Sequence, residues 1–196
     1  MDVATNGEDG VRSHRAEDAH RRVVEDLQRT RDAFVAATLQ LSEAQYHFKP
    51  NPDGWSIGQI VEHVALAELR ILDLITTKLP QAPAPSAAKT RGPARFARLD
   101  TAIPGRDQKG ITAPEILMPK GTWASPVVSL AAFIEARDQA IAAAEAAGPE
   151  ALEHVLPHRF LGEFDFEEWV YFMALHSARH TVQAAQIKGM PAFPGA

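Results

Sequence analysis

Apolar residues recur along this chain at helical spacing in four separated stretches. In the first, Val23, Leu27, Phe34 and Leu41 fall on one face, which predicts a helix from about Ser13 to Leu41. The second opens on a start signal. In WSIGQ, Ser56 at the N-cap can accept the backbone N–H of Gln59, Gln59 can reach back to Ser56, and Trp55 can pack on Ile60. Its stripe of Ile57, Ile60, Val61, Val64, Ile71 and Ile75 runs on to Leu79, where Pro80 ends it. The third has Ser125 as cap and Pro126 at the first helical position, and continues through an alanine-rich run to Gly148-Pro149. The fourth starts at Asp165, with Glu168 as the box partner and Phe164 facing Trp169, and stops at Gly189 with Pro191 just beyond.

The connections differ from one another. LSEAQYHFKPNPDG allows one short turn capped by Ser42 and Gln45 before Pro50, Pro52 and Gly54 stop any regular element. Residues 80–125 hold seven prolines and no sustained period, so they read as a long irregular crossover, and a stretch of that length points to function or to disorder. Residues 1–12 are polar, with Gly7 and Gly10, and read as a loose tail before a single domain over 13–196. No internal repeat and no convincing strand run is visible. The predicted architecture is an all-α four-helix bundle with one long crossover between its second and third helices.

Composition narrows the function. A chain of 196 residues that is 45% hydrophobic can bury a full core. The net charge is −5 and no basic block tracks a phosphate backbone, which argues against nucleic acid as a partner. The N-terminus lacks the basic-then-apolar pattern of a secretory signal, and no apolar run reaches the roughly 18–20 residues of a membrane span, so a soluble cytoplasmic protein is expected. With no cysteine, any metal must rest on His, Asp or Glu, and any thiol chemistry needs a thiol from outside.

Among the eight histidines, spacing alone is a weak guide. His154 and His158 stand four apart, but Pro157 between them would break the helix that gives this spacing its meaning. His176 and His180 lie inside the fourth helix, projecting within roughly 40° of each other on the stripe of Phe166, Trp169, Val170, Met173, Ala184 and Ile187. Two imidazoles aimed at a core need partners. Either each bonds a carbonyl or carboxylate, or both ligate one divalent ion. His63, on the flank of the second helix's stripe, would supply a third ligand if that flank faces the fourth helix. Glu68 is about 140° around from His63, so joint ligation is not expected of it. Its ordinary reading is a carboxylate paired to an arginine of another helix, with a supporting or substrate-facing role as the alternative. Gln183 and Ser177 are further candidates for supporting or substrate-facing positions. His14, His20 and His47 read as surface residues, and Trp55 and Trp169 as staples and core.

Two segments then resemble a known family. WSIGQIVEHVALAE, preceded by PNPDG, and ALHSARHTVQAAQIKGMP far downstream are similar to the DinB-like (YfiT-like) superfamily. Its members carry Trp-Ser and a histidine on the second helix and H-x-x-x-H-x-x-Q on the fourth. Here these are Trp55, Ser56 and His63, then His176, His180 and Gln183. The likeness covers most of residues 15–190 but not the crossover. It implies an up-down-down-up bundle, a divalent metal on His63, His176 and His180, and a homodimer. The expected ion is zinc or nickel, with iron and manganese as alternatives. Relatives include S-transferases that use a low-molecular-weight thiol such as bacillithiol, a mycothiol-dependent maleylpyruvate isomerase, and metal-dependent hydrolases. Three functions follow as expectations: transfer of a small thiol to an electrophilic small molecule, hydrolysis with water as nucleophile, or a metal-binding, stress-associated protein that does no chemistry.

Overall fold

The computed structural model describes residues 5–89, 93–103 and 113–195. Its helices are α1 (Thr5–Thr38), α2 (Glu43–His47), α3 (Ile57–Asp73), α4 (Ala97–Ala102), α5 (Pro126–Ala146) and α6 (Phe166–Lys188). Four of them, α1, α3, α5 and α6, form the bundle.

The caps stand where the sequence signals put them. Ser42–Gln45, Ser56–Gln59 and Asp165–Glu168 each make a reciprocal capping box, and Ser125 accepts from the Val128 amide ahead of Pro126. Each box satisfies amides that a helix start would otherwise leave bare. The Phe164 and Trp169 rings lie 5.1 Å apart at the start of α6, as a staple does.

Three expectations are corrected. Helix α1 begins at Thr5, well before Ser13. Extending a helix costs less than nucleating one. Residues 1–4, the rest of the expected tail, lie outside the described residues. A strand pair is present: β1 (Leu156–His158) and β2 (Gly162–Phe164) are antiparallel, with Leu156 opposite Phe164. Strands of three residues are too short for an alternating pattern to register, and Gly162 at φ +79° closes the hairpin. The crossover is not wholly irregular either. A tight turn over Pro93–Phe96 runs into α4 and buries Phe96 and Leu99.

The direction of each helix follows from residue pairs. His20 meets Glu167 and Lys188 reaches the Ala37 carbonyl, so α1 and α6 are parallel. A Cβ on Gly58 would meet Pro126, and Glu68 meets Arg137, so α3 and α5 are parallel too. Phe34 on Phe133 with Gln28 at Glu145 sets α1 antiparallel to α5, and with the two parallel pairs this makes α3 antiparallel to α6, where His63 meets His176. The bundle is therefore up-down-down-up. Because α3 and α5 are parallel neighbours, the chain between them must travel back the length of the bundle, and that makes the crossover long.

A wide turn over Leu74–Lys78 and a tight one over Leu79–Gln81 finish α3 and start this return. Further on, Arg95 pairs with Asp165 and Glu167, while Lys89 and Arg98 pair with Glu168. These bonds lay the crossover across the acidic start of α6. His20, expected at the surface, is half-buried against Glu167, whereas His47 is exposed, as expected. His14 falls where no side chain is described.

The core comes in two apolar clusters. One gathers Val23, Leu27, Ile71, Phe96, Ala140, Trp169 and Met173, the other Phe34, Ile57, Ile60, Val64, Phe133 and Ala184. Between them lies a buried polar layer of Thr30, Glu68, Arg137 and Ser177. No helix among the described residues is long and apolar enough to cross a membrane.

Candidate metal centre

His63 of α3 and His176 and His180 of α6 meet at one point. The Nε2 atoms of His63 and His176 are 3.3 Å apart, and those of His180 and His176 are 3.2 Å apart. One nitrogen from each ring lies within 4.8 Å of the others. Antiparallel packing of α3 on α6 turns the flank of α3 inward, which brings His63 to the pair one helical turn apart on α6.

The outer nitrogens fix which inner ones carry protons. His63 Nδ1–H donates to the Leu117 carbonyl at 2.8 Å, and His180 Nδ1–H donates to Gln183 Oε1 at 2.9 Å. Their Nε2 atoms are then lone pairs facing His176 Nε2. A proton on His176 Nε2 can serve only one of them, so these two contacts cannot both be hydrogen bonds from His176 at once. A cation removes the conflict. The separations of 3.2 and 3.3 Å also fit the ligand-to-ligand edge of a tetrahedral site with bonds of about 2.0–2.1 Å, an edge of about 3.3–3.4 Å. The three rings thus suit a divalent ion with a preference for imidazole nitrogen.

Burial favours the neutral form of His63 and His176, the form a ligand needs. Desolvation carries the His176 imidazolium well below the usual histidine range, helped by the neighbouring His180, His63, Arg137 and Arg179. Burial lowers His63 as well, against a smaller opposing effect of its bond to Leu117. Aromatic rings close the sides: Trp55 lies 4.8 Å from the His63 ring, and Phe172 stacks on His176 at 5.7 Å. His176 Nδ1 is buried and has no hydrogen-bond partner among the described residues.

Of the candidates for supporting positions, Gln183 alone touches a histidine of the cluster. Glu68 and Ser177 belong to the polar layer instead. Glu68 accepts from Arg137 Nε at 2.9 Å and Nη2 at 2.6 Å, and Ser177 Oγ accepts from Arg137 Nη2 at 3.0 Å while donating to carbonyls of its own helix. The arginine reading of Glu68 is the one realised. His154 donates through Nδ1 to the Ala82 carbonyl, and His158 sits in β1 against Phe164, far along the chain from any shared helix.

Several contributors had no reading in the sequence. The Leu117 carbonyl could come from any residue type, and Phe172 is one of several aromatics on α6. Glu62 had a faint signal, an acid directly before a candidate ligand. Its carboxylate accepts the backbone amides of Lys120, Gly121 and Thr122. Although burial opposes it, these bonds hold the carboxyl below its ordinary range.

Known proteins resemble this chain to different degrees. The family model of the DinB superfamily matches residues 26–184. The uncharacterized protein YuaE of Bacillus subtilis (strain 168) is 26% identical over 148 residues, which are 76% of this chain and 86% of that protein. Among solved structures, YfiT from Bacillus subtilis, a probable metal-dependent hydrolase with an unusual four-helix bundle topology, superposes with a TM-score of 0.54 at 15% identity. The match covers 86% of this chain and 85% of YfiT, and at that identity it speaks for the fold.

Proposed function

Since this chain belongs to the DinB superfamily, we propose that it is a divalent-metal-dependent enzyme whose ion rests on His63, His176 and His180. One observation carries the proposal: the Nε2 atoms of His63 and His180 lie 3.3 and 3.2 Å from His176 Nε2, and one nitrogen of each ring lies within 4.8 Å of the others, the spacing of three ligands on one ion. A divalent ion on three protein ligands keeps coordination open for a small ligand and makes a water or thiol there acidic near neutral pH.

The chain's own residues do the rest. Leu117 and Gln183 hold the outer N–H groups of His63 and His180, fixing tautomer and ring orientation. Trp55 and Phe172 hold the rings of His63 and His176 from the side and limit water at the ligands. The substrate is a small molecule, and the first reaction class is hydrolysis, supported by the likeness to YfiT. Transfer of an external low-molecular-weight thiol to an electrophilic carbon is the second. It is favoured by the family resemblance and by a chain that has no cysteine of its own. Zinc or nickel suits an all-imidazole set, with iron and manganese behind them. Residues 13–196 act as one domain, in the cytoplasm and as a homodimer, which light scattering measures directly.

The test begins with elemental analysis of the purified protein. About one divalent ion per chain is expected, and none even after incubation with zinc or nickel would end the proposal. The loaded protein is then offered activated esters and amides, with and without a thiol panel. Turnover without thiol supports hydrolysis, and consumption of thiol together with electrophile supports transfer. A loaded protein that is inert to both leaves only the non-catalytic, stress-associated reading.

A further inference from the structure

Directly before His63, α3 places Glu62 beneath the end of the crossover, only 7% exposed. Its Oε1 accepts the Lys120 amide at 2.9 Å and the Thr122 amide at 2.7 Å, and its Oε2 accepts the Gly121 amide at 3.1 Å. Three successive amides converge on one anion only where the backbone curls around it. Gly121, at φ +78°, supplies a conformation that residues with a Cβ rarely adopt. Three residues before Lys120, the same segment offers the Leu117 carbonyl to His63 Nδ1.

Consecutive residues of one helix therefore grip one short segment at two points. Among the described residues, the other hydrogen bonds of 114–122 stay within it. Leu117 and Met118 close its own turn onto Pro114 and Glu115, and Lys120 meets Glu115 at the surface. The attachment of this segment to α3 by hydrogen bonds is thus the work of Glu62 and His63 alone. Pro119, whose ring restricts the backbone, joins the two anchor points and makes a shift at one felt at the other.

We infer that Glu62 is a positioning residue for the metal centre. By clamping the amides of residues 120–122 it keeps the Leu117 carbonyl in place, and so holds His63 as the Nδ1–H tautomer with Nε2 directed at His176 and His180. The inference takes its purpose from the proposed metal site, but its geometry stands in the metal-free chain. Without the clamp, the carbonyl drifts and His63 is free to move its proton to Nε2, which removes that lone pair from the site.

Glu62→Ala and Glu62→Gln, compared with the parent chain, test this. Long-range 1H–15N correlation spectra of the metal-free protein report the His63 tautomer, with His63→Gln providing the assignment. Competition with a chromogenic chelator gives zinc affinity. A clasp that served stability alone would move the melting temperature and leave the tautomer untouched. The expected result is Nδ1–H in the parent, a mixture in Glu62→Ala, and zinc affinity about 10–100-fold weaker, the usual effect of losing a ligand's outer partner. Glu62→Gln keeps one oxygen for the Lys120 and Thr122 amides but turns an NH2 toward Gly121, so it falls between. If Glu62→Ala does not fold, Glu62→Gln decides alone. An unchanged tautomer together with unchanged zinc affinity overturns the inference while leaving the metal proposal intact. A tautomer that moves with Glu62 in a chain that binds no metal upholds the positioning role and overturns the metal proposal.

Discussion

Glu68 and Arg137 face each other across the middle of the bundle, both fully buried and joined by hydrogen bonds of 2.6 and 2.9 Å. Burial pushes the Glu68 carboxyl upward, and Arg137 opposes it. The guanidinium also bonds the Leu27 and Met173 carbonyls, Thr30 and Ser177, so it joins α1, α3, α5 and α6 in one layer. Removing one member of such a pair strands the other. Glu68→Leu and Arg137→Leu should each cost about 3–5 kcal/mol. In a chain of this size that corresponds to a fall in Tm of roughly 6–20 °C. Losses under about 1 kcal/mol in urea titrations would show that water reaches this layer.

The two H-x-x-x-H pairs give a controlled comparison for the metal. His180→Ala takes one of three converging ligands away, whereas His154→Ala removes only a bond to the Ala82 carbonyl. Mass spectrometry after gel filtration should find most of the ion lost from the first variant and none from the second, with circular dichroism confirming that both remain helical. Equal retention would place the metal elsewhere.

Gln183 is the acceptor for the outer N–H of His180. Gln183→Leu removes that acceptor and should weaken zinc binding by about 10–100-fold, with little change in helix content because the side chain is only half-buried. Gln183→Glu keeps an acceptor and should retain affinity near that of the parent. If Gln183→Leu bound zinc as the parent does, the ring of His180 would owe its orientation to packing.

His158 makes stability depend on pH in a definite direction. Burial, with a smaller contribution from Arg98, lowers its pKa from 6.5 to about 4, and its Nδ1 accepts the Phe160 amide, as a neutral ring does. The unfolded chain therefore takes up a proton near pH 6.5 that the folded chain refuses until about pH 4. The stability is complete above pH 6.5, falls as the pH drops through this window, and levels off below it. Partial exposure screens the effect, so its size is below that of a fully buried ring. In His158→Phe, which keeps the stacking on Phe164, the stability profile should lose this slope between pH 6.5 and 4 relative to the parent. Parallel profiles would show that His158 titrates normally in the folded chain.

What the sequence determined by itself was local: where helices start and stop, and which face of each is apolar. Ser56–Gln59, Ser125 ahead of Pro126, and Asp165–Glu168 act within one turn, so their meaning does not depend on the rest of the fold. The shared face of His176 and His180 belongs to the same class, since helical pitch alone sets it. Tertiary structure decided what depends on how helices are oriented and on backbone groups that any residue carries. His63 became a neighbour of that pair only because α3 runs antiparallel to α6 with its flank turned inward. Glu68 and Ser177 went to Arg137 because the parallel packing of α3 and α5 set that guanidinium opposite Glu68. The hairpin of β1 and β2 and the turn of α4 are too short to leave a period, and their stability comes from burying Phe164, Phe96 and Leu99 against distant helices. The grip of Glu62 on the amides of 120–122 lies furthest from the sequence. An amide carries no side-chain signature, and only the return of the crossover along the bundle brings those three amides to one carboxylate.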